Sequence, residues 1–221
     1  MRGFPRLGVD LFIEKASKGL EGIHVLDAGA GDQRYAKHFS LCMYESCDHP
    51  GMEFNICDRH SFYCDLIEIP RPANHYDLIL CSQVLEHVPE PARIIKELYR
   101  ILKPGGQLIL TVPQCSGLHM VPYNYFNFLE YGLRFLCETS GFKALKICPL
   151  GGIFFLLGKC VDQVFLVLLE RIIPSSNAKS YIHKIFLYLM IPVNLLLYLL
   201  DKLDLEKKWT LNYGLIAIKP T

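Results

Sequence analysis

Residues 24–32, reading HVLDAGAGD, constrain the fold of this 221-residue chain more than any other stretch. Val25 and Leu26 open a short apolar strand, Asp27 follows, and Gly29 and Gly31 turn the chain before a helix expected from about Gln33. A strand that enters a Gly-rich turn and then a helix is how α/β proteins present backbone N–H groups to a nucleotide-like ligand. Glycine matters there because the chain must turn tightly and approach the ligand with no Cβ in the way. The same pattern also joins ordinary α/β units, so the turn alone fixes no function. It does exclude two alternatives: Arg34 stands where the third glycine of GxGxxG would fall, and no GxxxxGK[ST] follows.

Strand and helix signals alternate around this turn. Val9–Lys18 has apolar residues at helical spacing, ended by Gly19 and Gly22, and is expected over the ligand site or on the sheet edge. Arg34–Phe39 reads as a helix, Leu41–Cys47 as a second strand closing at Asp48, and Phe62–Ile67 as a third containing Asp65. An acidic residue about 20 residues past the Gly turn suits a ribose diol, because a carboxylate accepts both hydroxyl protons; Asp48 is the first choice and Glu45 the second. Tyr76–Cys81 is a continuous apolar run, as in parallel strands buried on both faces. Pro89 and Pro91 open a helix over Ala92–Leu102, residues 103–106 stop it, and Leu108–Val112 is a fifth strand. A helix over Asn127–Thr139 and a sixth strand over Phe142–Cys148 follow. This alternation predicts a doubly wound α/β sheet.

Charge and cysteine usage narrow the class of partner. The formal net charge is +1, so no global basic field points to nucleic acid. The balance is uneven, with ten Lys/Arg against five Asp/Glu over residues 143–221. The nine cysteines include no CxxC pair, and Cys42 with Cys47 or Cys57 with Cys64 are too loosely spaced for a zinc site. With no apolar signal-peptide core at the N-terminus, a reducing, cytoplasmic setting is expected.

Three motifs in order carry a family resemblance: VLDAGAGD, then YDLILCSQVLEHVPEP, then ELYRILKPGGQLILTVP. Together they resemble a class I S-adenosylmethionine-dependent methyltransferase of the type 11 subgroup, which includes ubiquinone and menaquinone-type enzymes. The likeness covers roughly residues 20–150 plus the last strand and implies a Rossmann-like, seven-stranded, mostly parallel sheet. It implies that Asp27, Gly29 and Gly31 cradle the methionine part of S-adenosylmethionine, and that Asp48 binds its ribose. Asp65 and Leu66 would lie beside the adenine, and Ser82, Gln83 and Val84 would face the sulfonium. Asp32 and Gln33 depart from the family's turn, where a glycine is often found.

Methyl transfer from a sulfonium needs the acceptor close and in line, with a base only for a poorly nucleophilic hydroxyl. Glu86 and His87 lie just past the fourth strand, where such folds bind ligands, and His87 is the candidate general base. A Glu-x-x-Glu-His pattern binds a divalent cation in some relatives, but Gln83 replaces the first Glu here. The pair is therefore read first as substrate-facing, second as pinning the loop and third as metal-binding, so no metal is expected. His119, Tyr123 and Tyr125 fall where the acceptor pocket should be, though aromatic packing explains the tyrosines equally well.

The closing strand, Asn212–Lys219, is separated from the sixth by about 60 apolar residues of helical pattern. The expected organisation is a methyltransferase domain over 1–150 plus 212–221, with an apolar helical hairpin inserted over 151–211. One stripe includes Phe154, Leu157, Val161 and Phe165, Pro174–Asn177 reads as a turn, and Ile185–Leu200 is a second apolar run. At 16 residues and interrupted by Pro192, that run is short of the roughly 20 needed to span a bilayer. A hairpin in the membrane interface, with Lys202, Lys207, Lys208 and Trp209 at the headgroups, fits the pattern; sheet-edge cover or an oligomer contact is the alternative. The expected function is methyl transfer to an oxygen or carbon of a small or lipid-linked acceptor. The competing class is a catalytically silent methyltransferase-like protein that binds a partner or membrane through the hairpin.

Overall fold

The computed structural model describes residues 6–51, 59–173 and 176–221. The chain divides into two compact units: Val9–Cys148 with Asn212–Thr221, and Pro149–Leu211 with the start of the chain as far as Gly8. In order the elements are α1 (Leu7–Ala16), β1 (His24–Ala28), β2 (Met43–Asp48), β3 (Phe62–Tyr63) and β4 (Tyr76–Ser82). They continue with α2 (Pro91–Ile101), β5 (Leu102–Pro113), α3 (Glu130–Thr139), β6 (Lys143–Leu150), α4 (Ile153–Ile172), α5 (Ser176–Leu200) and β7 (Asn212–Ile218).

The seven strands form one sheet in the order β3-β2-β1-β4-β5-β7-β6. The pairings β1–β2, β1–β4, β2–β3 and β4–β5 are parallel, and β7 runs antiparallel to β5. The expected doubly wound, mostly parallel architecture is therefore present. Its strand order reverses between β1 and β4, and ligands of such sheets bind in the crevice beyond the carboxyl ends at that reversal.

Burial explains why these segments became strands. Leu78, Ile79, Leu80 and Cys81 of β4 and Leu108, Ile109 and Leu110 of β5 are essentially solvent-free, as central parallel strands require. α2 covers them with Ile94, Ile95, Leu98 and Ile101, all buried on one helical stripe. The end of the closing strand ties this layer down: Lys219 Nζ donates to the carbonyls of Tyr99 (2.8 Å) and Leu102 (2.7 Å) at the end of α2.

Four local readings change. The segment after the Gly turn is only a 3-10 turn, Ala36–Phe39, because Gln33 at φ 54° breaks a regular helix before it starts. β3 stops at Tyr63, since Asp65 folds the chain back, its Oδ1 accepting from the Ile67 amide at 3.0 Å. β5 begins six residues early and runs through Pro104, Gly105 and Gly106 with an irregular register opposite Tyr76–Leu78. α3 starts at Glu130 rather than Asn127, because the Phe128 amide is committed to the Pro113 carbonyl at 2.8 Å.

In the smaller unit α4 and α5 form an antiparallel pair, joined by a stack of Phe165 on Phe186 at 3.7 Å and by His183 Nε2 to Asp162 Oδ1 at 2.9 Å. The buried carboxylate of Asp201 accepts from the Gly152 amide and fixes the open end. Residues 174 and 175 of the expected turn lie outside the described residues. α5 is longer than the apolar run suggested and passes through Pro192. Its 24 residues Asn177–Leu200 are long and apolar enough, by length and composition, to cross a membrane, and few of them are buried.

Candidate active site

β1 carries the Gly turn to the carboxyl edge of the sheet and β2 delivers Asp48 to the same place. Asp48 Oδ2 accepts from the Gly31 amide at 2.8 Å, while the Gly29 and Ala30 amides donate to the Cys47 carbonyl at 2.9 and 3.1 Å. The turn is thus held by bonds from its amides to β2, and what it offers a ligand is shape rather than several free N–H groups. A Cβ built on Gly31 would meet nothing within 4 Å, leaving open space over the turn.

Gly29 has the opposite surroundings. At φ +75° its missing Cβ would lie 2.5 Å from Val84 Cγ2, so the segment after β4 rests directly on the Gly turn. Gly29→Ala is therefore expected to destabilise the chain by about 1–3 kcal/mol, through left-handed strain and overpacking. Urea denaturation followed by circular dichroism checks this; an unchanged midpoint would mean the two segments do not bear on one another.

Asp27 is 2 % exposed, and its Oδ2 accepts from the Tyr44 hydroxyl at 2.8 Å. Burial pushes its carboxyl up to about 7, the Tyr44 hydrogen bond opposes that rise, and nearby Asp48 and Asp32 add to it. A cationic ligand is the natural compensation for a carboxylate so placed. Gln33 keeps its left-handed backbone where a glycine would adopt it freely, and its amide Nε2 donates to the Arg59 carbonyl at 2.8 Å. The departure from the family's turn is thus absorbed locally.

The other expected cofactor residues divide. Asp65 sits in the turn after β3, and Leu66 is turned into the core. Ser82 Oγ lies 2.8 Å from Thr111 Oγ1, and Gln83, at φ 58°, donates its amide N–H to the Thr111 carbonyl (2.9 Å) and its Nε2 to Thr111 Oγ1 (3.3 Å). Left-handed backbone at a non-glycine residue persists only where its surroundings hold it, and Thr111 does so here. Glu45, the second choice for the ribose, is instead turned toward the opposite edge, where it meets His24, Arg71 and Tyr76.

Past β4, Leu85–His87 forms a 3-10 turn that brings Glu86 and His87 beside His119 and the Tyr123 carbonyl. His87 Nδ1 lies 2.5 Å from the Tyr123 carbonyl, which can only accept, so Nδ1 carries the proton and Nε2 is the basic nitrogen of the neutral ring. Nε2 is 3.8 Å from Glu86 Oε1, and the rings of His87 and His119 meet edge to face at 4.8 Å. One donor atom each from Glu86, His87 and His119 lies within 4.8 Å of the others. The Tyr125 amide donates to the Glu86 carbonyl at 2.8 Å, but its side chain is exposed. Tyr44 and Thr111 support the site without having been expected; Thr111, the one polar residue of the apolar run 108–112, carried a sequence signal.

A Rossmann-like sheet with an acidic Gly turn at its reversal point is the architecture of class I S-adenosylmethionine-dependent methyltransferases. Residues 4–141 match the family described as "Methyltransferase domain", and the chain belongs to that family. It is 33% identical over 105 residues to the ubiquinone biosynthesis O-methyltransferase of Coxiella burnetii, covering 42% of this chain and 44% of that protein. It is 27% identical over 104 residues to the demethylmenaquinone methyltransferase of a Geobacillus species, covering 46% and 44%. The chain thus matches less than half the length of these curated relatives. Its fold resembles phosphoethanolamine N-methyltransferase 2 of Haemonchus contortus, solved with S-adenosyl-L-methionine, at a TM-score of 0.60 and 18% identity over 97% of this chain and 53% of that one.

Proposed function

We propose that the chain binds S-adenosylmethionine at the Asp27–Gly31 turn and transfers its methyl group to an oxygen or carbon of a small or lipid-linked acceptor. The observation that carries this reading is the contact of Val84 with Gly29, which puts Glu86 and His87 one turn away from the cofactor cradle. The residues present fit the cofactor: a buried carboxylate suits its cationic methionine part, Asp48 suits a ribose, and the space over Gly31 is open. When bound, the cofactor supplies a methyl group already activated on a sulfonium. Asp27, Gly29, Gly31, Asp48, Asp65, Leu66, Ser82 and Gln83 form the proposed cofactor side. On the acceptor side the Tyr123 carbonyl fixes the His87 tautomer so that Nε2 takes the proton from an acceptor hydroxyl, and Glu86 stabilises the imidazolium that results. His119, Tyr123 and Tyr125 hold the acceptor.

The names of the curated relatives support a hydroxylated aromatic ring with an isoprenoid tail as the acceptor class. Incubating the chain with S-adenosylmethionine and such phenols or hydroquinones should release S-adenosylhomocysteine with one methylated product. Release equal to that without acceptor, across the series, would exclude this acceptor class.

The domain organisation proposed is the methyltransferase unit with residues 151–211 as an appended membrane-contacting hairpin, in a cytoplasmic protein that works at a lipid surface. Leu157, Val164, Leu168, Leu189, Leu195 and Leu196 are at least half exposed, a larger apolar surface than a protein keeps in water without reason. Lys202 follows it and is the lysine offered to anionic headgroups, since Lys207 is committed to Asp201 and Lys208 is paired with Glu206. The chain is expected to sediment with vesicles containing phosphatidylglycerol, and Leu189→Glu with Leu196→Glu to abolish this. Retention in the supernatant at every lipid concentration would contradict it and turn attention to self-association.

A further inference from the structure

A second group of donors lies at the other edge of the same sheet, away from the methyl-transfer site. His24 opens β1, Glu45 lies in β2 and His75 immediately precedes β4. The parallel register sets Leu26 beside both Glu45 and Ile79, so three neighbouring strands deliver these residues to one place. From His24 to Ala28 the strand spans about 13 Å, which separates the group from the Gly turn. One donor atom from each of His24, Glu45 and His75 lies within 4.8 Å of the other two, and all three side chains are partly exposed. His24 Nε2 is 3.7 Å from Glu45 Oε1, and the two imidazole rings meet edge to face at 4.7 Å.

The carboxylate is already oriented. Glu45 Oε2 accepts from the Tyr76 hydroxyl at 2.5 Å and from Arg71 Nε and Nη2 at 3.1 Å each, while Oε1 faces His24. Hydrogen bonds of this kind to the far oxygen are what hold a metal-ligating carboxylate in place. Arg71 balances the charge on Oε2, and Oε1 remains turned toward the imidazoles.

We propose that His24, Glu45 and His75 form a binding site for a divalent transition-metal ion of the zinc class. Two imidazoles and one carboxylate suit zinc, cobalt or nickel and are a poor set for magnesium or calcium, which take oxygen ligands. Three protein ligands leave a fourth position for water. Bonds of about 2.0–2.1 Å to a tetrahedral ion put donors about 3.4 Å apart, near the His24–Glu45 separation. His75, on the loop entering β4, makes the remaining adjustment. The ion links the start of β1, the middle of β2 and the residue that enters β4, and takes no part in methyl transfer.

The test is calorimetric titration of the chelator-stripped full chain with Zn2+, repeated with Co2+ and absorption spectroscopy. Three proteins are compared: the intact chain, His24→Ala with His75→Ala, and His87→Ala with His119→Ala. The intact chain and the last variant should share one equivalent, with a Co2+ spectrum free of thiolate charge transfer. His24→Ala with His75→Ala should lose that equivalent, a larger effect than the about 10–100-fold that removal of an outer hydrogen-bond partner costs. Should that variant fail to fold, Glu45→Gln, which keeps the shape of the side chain, is expected to show the same loss. Uptake unchanged in the His24 and His75 variant, or no uptake by the intact chain, would overturn the proposal.

Discussion

Replacing His87 with Gln is expected to slow methyl transfer to a hydroxyl acceptor by about 100- to 10,000-fold, the usual contribution of a positioned general base. Gln cannot take a proton, yet it can still donate a hydrogen bond to the Tyr123 carbonyl that now accepts from Nδ1. Affinity for S-adenosylmethionine should not change, because the proposed cofactor cradle is built from β1 and β2 and the imidazole belongs to the turn after β4. The check is single-turnover transfer at several pH values. The variant should transfer at the lower rate at every pH tested. Unaltered single-turnover rates would make His87 a structural pin of its loop, and loss of cofactor binding alone would move it to the cofactor side.

The second large effect concerns pH and the cofactor. With its carboxyl pushed up to about 7, Asp27 is mostly protonated at pH 6 and mostly ionised at pH 8 in the cofactor-free chain. A cationic ligand binds the ionised form, so it must displace a proton at the lower pH. Affinity for S-adenosylmethionine is expected to rise about tenfold from pH 6 to pH 8, matching the ionised fraction, and then to level off. Asp27→Asn should bind weakly and without this slope. The same displacement has the reverse sign for folding. The native state holds a proton that the unfolded chain releases near its ordinary 3.8. That contribution to stability is complete below about pH 4 and is lost as the pH rises through about 7, by about 4 kcal/mol. Titrations at several pH values, with thermal melts alongside, separate the two effects.

The sheet was legible because its central strands are written in residues that can do little else. Leu78–Cys81 and Leu108–Val112 are apolar runs too short for helices, the second set between Gly106 and Pro113, and they occupy the buried centre. The Gly turn was equally plain, since Gly29 sits at φ +75° against Val84, a position that admits no Cβ. What escaped the sequence lay in partners distant along the chain. Nothing local says that Gln33 will take a left-handed backbone, or that Tyr44 will reach Asp27 across 17 positions. The sequence ranked Asp48 ahead of Glu45 only by spacing, and the register of β2 is what sends Glu45 to His24 and Asp48 to Gly31. α5 begins at Ser176, inside the segment expected as a turn, because a helix already stabilised along its apolar length extends through polar residues at little cost.

Calorimetric titration of the intact chain and of Asp27→Ala with S-adenosylmethionine and S-adenosylhomocysteine tests the cofactor assignment most directly. The expected result is one site with a dissociation constant of the order of micromolar in the intact chain, and no measurable heat from the variant. Absence of binding by the folded intact chain would contradict the assignment, leaving a methyltransferase fold whose turn, with Asp32 and Gln33 in it, no longer holds the cofactor.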